Sequence, residues 1–366
     1  MNKASKRILL HLSFYIPRLH QGIVDYAKGC GWNIELPYSG YLRETVRSWN
    51  GEAVITDDPY YAVQLKARGV RIASLIPQLA ETADCTVCTD DRRIGELAAD
   101  YFRYKGFRSF ASASNTLRGR AFGECLKGYG HDVIRVPLRF PCSTASSRRQ
   151  TVKILKTLPH PCALFCENDW EANAMLNHLE ELGCRVPEDV SVLGVGNCNL
   201  ICNAKQVTLS SIETSVYERG WRIAEALDNV LEGRSSTGTF IRIPPSPNIM
   251  ERMSTGFCTV DNPVLGDMIR YLGEHATAPV LIADMARTFH LSVSAVYRLF
   301  MSHLGVSPKK VLQEARMNIA RRLLLDTDDK ISVIAEESGF LNSSVFFEAF
   351  HRSHFCTPEV WRRRNR

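Results

Sequence analysis

The chain has 366 residues, 45% of them hydrophobic and 23% charged, which is typical of a globular protein with two or three domains. Its net charge of +6 is too small to predict nucleic-acid binding by itself. No apolar stretch approaches the ~18 residues that a membrane span needs, and no secretory signal pattern is present. We therefore expect a cytoplasmic protein with no membrane partner.

The twelve cysteines are scattered along the chain. Without a secretion signal they predict reduced, mostly buried thiols. Cys85 and Cys88 have the spacing of a metal-binding pair, but no second pair follows at a zinc-like interval, and their context is typical of a strand. We therefore predict no metal site and no cofactor.

The first 250 residues alternate short apolar strands with amphipathic helices. RILLHL opens this series, EAVITDD and CTVCTDD continue it, and VSVLGVGN lies near its end. The alternation predicts parallel sheets with helices on both faces, and its length favours two similar lobes over one mononucleotide fold.

Polar residues follow several of the predicted strands, including Asp90, Asp169 and Asn197. Ligands of open parallel sheets bind beyond the carboxyl ends of the strands. No GxGxxG, P-loop, HExxH or GxSxG motif is present, so the sequence predicts a binding domain and not an enzyme.

A stretch rich in proline, serine and threonine, residues 244–262, interrupts both periodicities and predicts a linker. We place the domain boundary near Thr259, which gives one domain over residues 1–258 and a second over 259–366. Residues 263–276 then predict the first helix of the second domain.

A helical pattern occurs twice in the second domain, over about residues 281–302 and 331–352. Each copy has the order of a helix-turn-helix: a helix with a small residue, a turn, and a second helix with an apolar stripe. In the first copy Ser292 is a candidate N-cap, and in the second Gly339 is a candidate left-handed C-cap. Between the copies, residues 308–329 predict one long helix.

The stripe predicted to face the first helix comprises Ala295, Val296, Leu299 and Phe300 in the first copy, and Val345, Phe346, Ala349 and Phe350 in the second. The opposite face would be free to enter the major groove of DNA.

This arrangement resembles the AraC/XylS family of transcription regulators, whose DNA-binding domain has two helix-turn-helix units joined by a long helix. The resemblance covers about 100 residues. The matching positions include Arg298, Gly305 to Pro308, Arg316, Ala320, Leu323, Leu324, Ile334, Ala335, Gly339, Phe340 and Phe350.

The resemblance implies base contacts from Ser294, Tyr297 and Arg298 in the first copy, and from Ser343, Ser344, Phe347 and Glu348 in the second. Arg298 is the strongest candidate because a guanidinium can bond guanine through two hydrogen bonds, although a phosphate contact or an ion pair within the domain is the alternative. Glu348 stands where many family members have arginine, and Phe355 replaces the glycine that Gly305 supplies in the first copy. We therefore expect the first copy to dominate specificity. Ser343 and Ser344 could instead be capping residues.

The first 255 residues resemble the ligand-binding domain of LacI/GalR regulators, which is similar to periplasmic sugar-binding proteins with two lobes that close on a ligand. The segments TDDRRIGELAADYFRYKGFRSF, CENDWEANAML and VPEDVSVLGVGN carry the resemblance. A ligand domain of this kind followed by an AraC-type module looks like the xylose-operon regulator subgroup of the AraC family.

The resemblance implies ligand contacts from Phe14, Tyr15, Asp90, Arg118, Asp169, Trp170 and Asn197. Trp170 could stack on a sugar ring, and a core or surface role is its alternative. Asp90 and Asp169 each precede a predicted helix, so N-capping is the alternative for both. Gly196 stands where relatives usually have aspartate, which removes a polar contact.

The sequence therefore predicts a two-lobed α/β ligand-binding domain followed by an all-α domain with two helix-turn-helix units. We expect a homodimeric, sugar-responsive transcription activator of a sugar operon, with xylose or a related sugar as effector. Double-stranded DNA is its expected partner and RNA polymerase a possible one. Two alternatives remain: a ligand-independent DNA-binding scaffold whose sugar domain only dimerises, and a DNA-alkyl-transfer enzyme, for which no activated cysteine motif is present.

Overall fold

The computed structural model describes residues 5–37, 42–137, 145–235, 237–246, 249–256, 263–304, 306–354 and 356–365. The strands are β1 (Lys6–His11), β2 (Trp32–Glu35), β3 (Ala53–Thr56), β4 (Arg71–Ser74), β5 (Cys85–Thr89), β6 (Ser109–Ala113), β7 (Val133–Arg135), β8 (Cys162–Cys166), β9 (Val190–Val195), β10 (Ser210–Ile212), β11 (Thr239–Ile243) and β12 (Ile249–Met250).

The helices that precede the C-terminal domain are α1 (Pro17–Ala27), α2 (Leu42–Ser48), α3 (Pro59–Lys66), α4 (Asp91–Tyr104), α5 (Leu117–Gly128), α6 (Ala145–Leu155), α7 (Asp169–Glu181), α8 (Asn199–Cys202) and α9 (Val216–Leu231). Those of the C-terminal domain are α10 (Pro263–Glu274), α11 (Ile282–Thr288), α12 (Val293–Leu304), α13 (Pro308–Asp326), α14 (Ile331–Glu337), α15 (Ser343–His354) and α16 (Pro358–Asn365). No helix within the described ranges is both long and apolar enough to cross a membrane.

The first compact unit comprises residues 1–90 and 214–245. Its six strands are all parallel, in the order β11-β5-β4-β3-β1-β2. Helices α1 and α9 pack so closely that a side chain at Gly22 would lie 2.2 Å from the carbonyl oxygen of Tyr217. The apolar faces of these helices cover one side of the sheet, and a second cluster that includes Val46 of α2 and Leu65 of α3 packs on the other. Because both faces are covered, the central strands are nearly continuous in apolar residues.

The second compact unit, residues 91–213 and 246–366, contains both a second α/β lobe and the C-terminal helices. The sheet of this lobe has the order β12-β10-β9-β8-β6-β7, and only β12 is antiparallel to its neighbour. Four stacked or edge-on phenylalanines fill one face of the sheet: Phe102, Phe110, Phe122 and Phe165.

The C-terminal helices form two similar halves, each with its own core. In the first half, Met285, Val296 and Phe300 pack against α10. In the second half, Ile334, Phe346 and Phe350 pack against the carboxyl-terminal part of α13. Helix α13 therefore supplies apolar side chains to both cores.

The predicted fold class, a two-lobed α/β domain followed by an all-α domain with two helix-turn-helix units, is confirmed. The predicted boundary near Thr259 lies outside the described residues, because 257–262 are not described. Gly305 and Phe355 are likewise outside them.

Candidate functional site

The first helix-turn-helix is formed by α11 and α12. Helix α11 ends before His290, which has a left-handed backbone with φ of +54°. The Ser292 hydroxyl then accepts a hydrogen bond from the amide of Ala295 at 3.2 Å, so Ser292 is the N-cap that the sequence predicts.

The second helix-turn-helix, formed by α14 and α15, reproduces this turn with different residues. Gly339, at φ of +83°, occupies the position of His290 and confirms the predicted left-handed turn. The N-cap is Asn342, whose side-chain oxygen accepts from the amide of Val345 at 2.9 Å. Ser343 and Ser344 are the first residues of α15, so the alternative that they cap the helix is wrong.

The second helix of each unit has one buried and one exposed face. Val296 and Phe300 in α12, and Phe346 and Phe350 in α15, are fully buried. Val345 is 44% exposed, so its prediction as part of the buried stripe is wrong. The stripe begins one residue later because the N-cap Asn342 sets the start of the helix.

The residues predicted to contact bases lie mainly on the exposed face. Ser294, Arg298, Ser344 and Glu348 are exposed, and Tyr297, Ser343 and Phe347 are half-buried. The structure therefore brings Ser294 and Arg298 to the surface of α12, and Ser344 and Glu348 to the surface of α15. An exposed helical face of this kind is what major-groove recognition requires.

Glu348 has a partner that the sequence reasoning missed. Its carboxylate accepts from the Arg352 guanidinium at 2.5 Å, one helical turn later, and both side chains are more than two thirds exposed. The spacing of four residues could have revealed this pair. Because Arg352 offsets the negative charge, Glu348 repels a phosphate less than an isolated carboxylate would.

Arg316 fixes the long helix α13 to the end of α10. Its guanidinium donates to the carbonyl oxygens of Ala276 at 2.8 Å and Ala278 at 3.0 Å. At its start, α13 is capped by Ser307, which accepts from the amide of Lys310 at 3.2 Å. These contacts set the orientation of α13, and α13 in turn carries both helix-turn-helix cores.

In the first lobe, the predicted ligand residues follow β1 and β5. Phe14 is 53% and Tyr15 is 56% exposed, and the Tyr15 hydroxyl lies 2.8 Å from His20 Nδ1. Asp90 is half-buried, and its amide donates to Ile243 O at 2.9 Å. The roles of these residues in ligand binding remain predictions.

Further polar residues of the first lobe were not singled out from the sequence. His11 ends β1, and its Nδ1 lies 3.1 Å from the Thr56 hydroxyl at the end of β3. Burial lowers the pKa of His11, although the carboxylates of Asp58 and Asp57 act in the opposite direction. Asp57 accepts from the Ser13 amide at 2.7 Å and so holds the loop after β1. Their position in the sequence could have identified these residues, since each of them ends or follows a predicted strand.

In the second lobe, Arg118 lies within a cluster of carboxylates. Its Nε donates to Asp91 at 2.8 Å, and its Nη1 donates to the backbone oxygen of Glu167 at 2.7 Å. The Glu167 carboxylate also accepts from the hydroxyls of Ser114 and Thr116. These residues follow β6 and β8, so the cluster lies at the carboxyl ends of those strands.

Glu171 extends this cluster on α7. Burial, followed by the charge of Glu167, raises the pKa of Glu171 to about 7. A carboxyl with this pKa can be protonated near neutral pH and can then donate a hydrogen bond to a ligand oxygen.

Asp169 is the first residue of α7, and the N-cap is Asn168, which accepts from the amide of Glu171 at 2.9 Å. The alternative that Asp169 caps the helix is therefore wrong. Asp169 is 2% exposed and accepts from the Ser211 hydroxyl at 2.5 Å and from the Cys198 amide at 2.7 Å. Burial raises the pKa of Asp169, although these hydrogen bonds oppose the shift.

Trp170 follows Asp169 in the chain, and Asn197 precedes Cys198, whose amide donates to Asp169, but the two residues differ in environment. Asn197 has a left-handed backbone with φ of +51°, and its side chain donates to Glu213 at 3.0 Å and accepts from Arg252 at 2.8 Å. Trp170 is 46% exposed at the start of α7, which leaves much of its ring accessible.

No cluster of potential metal ligands occurs among the residues that the structure describes. Cys85 and Cys88 are buried in β5, and burial raises the pKa of Cys85 to about 12. A thiol with so high a pKa is a poor nucleophile and a poor metal ligand near neutral pH.

A two-lobed domain with polar strand ends, followed by paired helix-turn-helix units with exposed second helices, is the architecture of a transcription regulator. Comparison with known proteins supports this class directly. Residues 285–364 match the family of helix-turn-helix domains, and residues 99–255 match the family of periplasmic binding protein-like domains.

Two curated relatives extend over nearly the whole chain. The xylose operon regulatory protein of Haemophilus influenzae is 25% identical over 95% of this chain and 95% of its own length. The protein of the same description from Escherichia coli K12 is 24% identical over 95% of this chain and 94% of its own. The solved structure of a xylose-binding transcription activator covers 100% of both chains with a TM-score of 0.58 at 22% identity, which shows a shared fold.

The chain is therefore a DNA-binding transcription regulator that combines an AraC-type helix-turn-helix domain with a periplasmic-binding-protein-like domain. It is a homologue of the xylose operon regulatory proteins. These relatives are transcription regulators and not enzymes, in agreement with the prediction.

Proposed function

We propose that this protein regulates a sugar-catabolism operon in response to a sugar, and that the sugar is D-xylose or a close relative. The observation that carries the proposal is the alignment of both domains with xylose operon regulatory proteins over 95% of the chain. As a regulator of chromosomal genes, it would act in the cytoplasm.

Binding of the sugar would use the polar residues at the strand ends of the α/β lobes. In the second lobe, Arg118 and the neighbouring carboxylates of Asp91 and Glu167 supply both donors and acceptors for sugar hydroxyls. The exposed ring of Trp170 offers an apolar face for the sugar ring. Phe14, Tyr15 and Asp90 remain predicted contacts from the first lobe.

On the DNA side, we propose that Arg298 reads bases, with Ser294 and Tyr297 beside it on α12. The second unit would contribute through Ser343, Ser344, Phe347 and Glu348 on α15. Two helix-turn-helix units arranged in this way would contact successive major grooves, roughly 34 Å apart along the DNA. We further propose that the protein acts as a homodimer and activates transcription through contact with RNA polymerase.

A specific observation favours a second candidate function. Asp169 is buried with both carboxylate oxygens hydrogen-bonded, and the Asn197 amide bonds Glu213 and Arg252. Two of the predicted ligand residues therefore have internal partners. If no sugar displaces these partners, the α/β domain is a ligand-independent scaffold that only dimerises.

One experiment separates the two functions. Operator duplexes are selected from a random library with the full chain, and their affinity is measured by fluorescence anisotropy with and without D-xylose. The sugar-responsive function predicts at least a fivefold change in affinity, within the ~5–150-fold range of allosteric coupling. An affinity that D-xylose and related pentoses leave unchanged would favour the scaffold.

Two tryptophan variants provide a matched test of the site. Trp170→Ala should weaken D-xylose binding at least tenfold, because it removes the apolar ring face. Trp221→Ala is the control, since Trp221 is 38% exposed on α9 and packs edge-on against Tyr26. Equal sugar affinities of the two variants would exclude stacking on Trp170.

A further inference from the structure

The end of the periplasmic-binding-protein-like domain is packed against the DNA-binding module. Strand β12 adds to the edge of the second sheet through β10, yet its Met250 lies in the core of the second helix-turn-helix with Met317 and Phe346. The residue that follows, Glu251, is at the centre of a group of polar side chains. We call Tyr101, Lys105, Glu251, Asn318 and Arg321 the junction cluster.

Glu251 connects two helices of different domains. One carboxylate oxygen accepts from the Tyr101 hydroxyl at 2.5 Å and pairs with Lys105, and both residues belong to α4. The other oxygen accepts from the Asn318 amide on α13 at 2.8 Å. Burial alone would raise the pKa of Glu251, but Lys105 and Tyr101 outweigh it and hold the pKa below its ordinary value. Glu251 is therefore charged at neutral pH.

Arg321 is the least satisfied member of the junction cluster. It is 2% exposed, and its Nη2 donates to the side-chain oxygen of Asn318. Within the described part of the chain, its Nε and Nη1 have no hydrogen-bond partner. Burial lowers the pKa of Arg321, and the charges of Glu314 and Glu251 oppose that shift. Neutralising Glu251 would therefore remove part of the compensation of this buried cation.

Arg252, the next residue, points to the opposite side of the segment. Its guanidinium donates to the side-chain oxygens of Asn197 at 2.8 Å and Asn199 at 3.3 Å, and to Leu209 O at 2.9 Å. Its backbone amide donates to the Ser210 hydroxyl at 2.8 Å, which fixes the segment to β10. Residues 197–199 form the loop after β9, where a sugar contact is predicted.

We propose that Glu251 and Arg252 couple the sugar-binding loop at residues 197–199 to the DNA-binding module through α13. The coupling rests on the proposed sugar-responsive function. When a sugar displaces Arg252 from Asn197, the shift is passed along the backbone to Glu251, which is the neighbouring residue. Glu251 then changes its contact with Asn318, and α13 transmits the change to α12 and α15, the exposed second helices of the two units, which we call the reading helices.

Glu251 and Arg252 are suited to coupling because they are held by hydrogen bonds, which depend on orientation. Hydrogen bonds weaken steeply with misalignment, whereas apolar contacts such as that of Met250 are not directional. Energetic coupling between two sites is established by a measurement at each end.

The first test is hydrogen–deuterium exchange of the full chain without ligand. Asn318→Ala, on α13, removes the bond to Glu251 and should thereby loosen the bond between the neighbouring Arg252 and Asn197. The adjacent Cys198 amide, which donates to Asp169, would then open more often, so exchange in the peptide that covers residues 196–202 should rise at least fivefold. The control is Asp267→Asn on α10, an exposed carboxylate paired with Arg270. Exchange in 196–202 that is the same in both variants and the wild type would overturn the proposal.

The second test measures DNA affinity with and without D-xylose for the wild type and for Glu251→Gln. Glutamine retains the size of the side chain, and a thermal melt of each variant verifies that it folds. The ratio of the two affinities should fall at least threefold in Glu251→Gln, with D-xylose affinity at the loop retained. An unchanged ratio would overturn the coupling role.

The two tests distinguish the failure of the coupling from that of the proposed function. If D-xylose neither binds nor alters DNA affinity in the wild type, the proposed sugar response fails, and the exchange measurement alone decides whether α13 and the loop are coupled. If D-xylose acts on the wild type and the variants behave as the wild type does, the sugar response stands and the coupling through Glu251 is wrong.

Discussion

Gly339 shows how a single backbone position determines the second helix-turn-helix. Its φ of +83° lies in the left-handed region, and a Cβ there would lie 2.3 Å from the carbonyl oxygen of Ala276. The turn between α14 and α15 therefore packs directly against the end of α10. The left-handed backbone favours glycine, and the close approach to Ala276 leaves no room for any Cβ without displacement of the backbone.

We predict that Gly339→Ala destabilises the DNA-binding module by about 2 kcal/mol or more, because it adds both backbone strain and a backbone clash. Gly273→Ala is the matched control: Gly273 lies in α10 with nothing within 4 Å of an added Cβ, so alanine should stabilise by ~0.5–1 kcal/mol. Chemical denaturation of the two full-length variants would measure both values. A Gly339→Ala chain as stable as the wild type would show that Gly339 does not pack against Ala276 O as closely as 2.3 Å from its Cβ position.

His354 makes the module sensitive to acid. Its ring stacks on Phe350 with centroids 4.1 Å apart, and its Nε2 is buried without a hydrogen-bond partner in the described residues. Burial, followed by the charge of Arg321, lowers the pKa of His354 to about 3. The folded state therefore binds fewer protons than the unfolded state below the ordinary histidine pKa of ~6.5.

Because folding lowers the pKa of His354, the module keeps its full free energy of unfolding above pH ~6.5. That free energy then falls progressively as the pH drops towards 3. At pH 4.5 the loss should be about 2–3 kcal/mol, at ~1.4 kcal/mol per pH unit. We predict that His354→Phe, which retains the ring stacking, removes this part of the acid sensitivity. Denaturation midpoints of both chains at pH 7 and 4.5 test it, and parallel losses in wild type and variant would exclude His354 as the cause.

At the scale of the helix, the two reading helices differ in charge. Arg298 on α12 is exposed, whereas Glu348 on α15 is paired with Arg352. The first unit therefore presents a cation to DNA, and the second presents an ion pair with nearly no net charge. This difference supports the expectation that the first unit dominates specificity.

We predict that Arg298→Ala lowers operator affinity about 5–150-fold and relaxes preference at one base pair, as expected for the loss of a base contact worth ~1–3 kcal/mol. Glu348→Gln should leave affinity equal or raise it, because it releases Arg352 for phosphate. Arg270→Ala, an exposed arginine on α10 paired with Asp267, is the control. Anisotropy titrations at several salt concentrations decide the alternative: if Arg298→Ala reduces the salt slope by about one and preserves base preference, Arg298 contacts phosphate.

Elements and their order could be predicted from the sequence because periodicity and turn residues are local signals. The helix-turn-helix units followed from two copies of one pattern, and Ser292 and Gly339 were identified from their chemistry. Val345 was misplaced because the start of α15 depends on the Asn342 cap, and a shift of one residue turns a helical side chain by about 100°.

Long-range polar contacts could not be predicted in the same way. Glu251 and Asn318 are 67 residues apart in the chain, and nothing in either local sequence indicates the partner. The same is true of Arg252 and Asn197, which are separated by 55 positions. The predicted ligand residues came from resemblance and strand ends, so their positions could be expected but their internal partners could not.

At the scale of the whole molecule, the net charge of +6 is spread along the chain, with 14 basic and 12 acidic residues after position 260. Bulk charge therefore gives the DNA-binding module little general attraction for DNA. Affinity should depend on the few exposed side chains of α12 and α15 and, in the proposed homodimer, on how the two modules are presented. Control by a small molecule is effective in such a system, because a modest change in presentation is not masked by strong nonspecific binding.

A thermal-shift scan of the full chain against xylose, arabinose, ribose, rhamnose and fucose tests whether the α/β domain binds a sugar. A sugar that binds only the folded domain adds about 2.7 kcal/mol to its stability at 100 times the dissociation constant. We predict that D-xylose or a close relative raises the melting temperature of the α/β domain by several degrees, and that Trp170→Ala removes the shift at the same concentration. A flat response to the whole panel in the wild type would leave the DNA-binding module as the functional part and favour the scaffold. If the melting temperature still rises with sugar in Trp170→Ala, the protein binds a sugar but does so without Trp170 of α7.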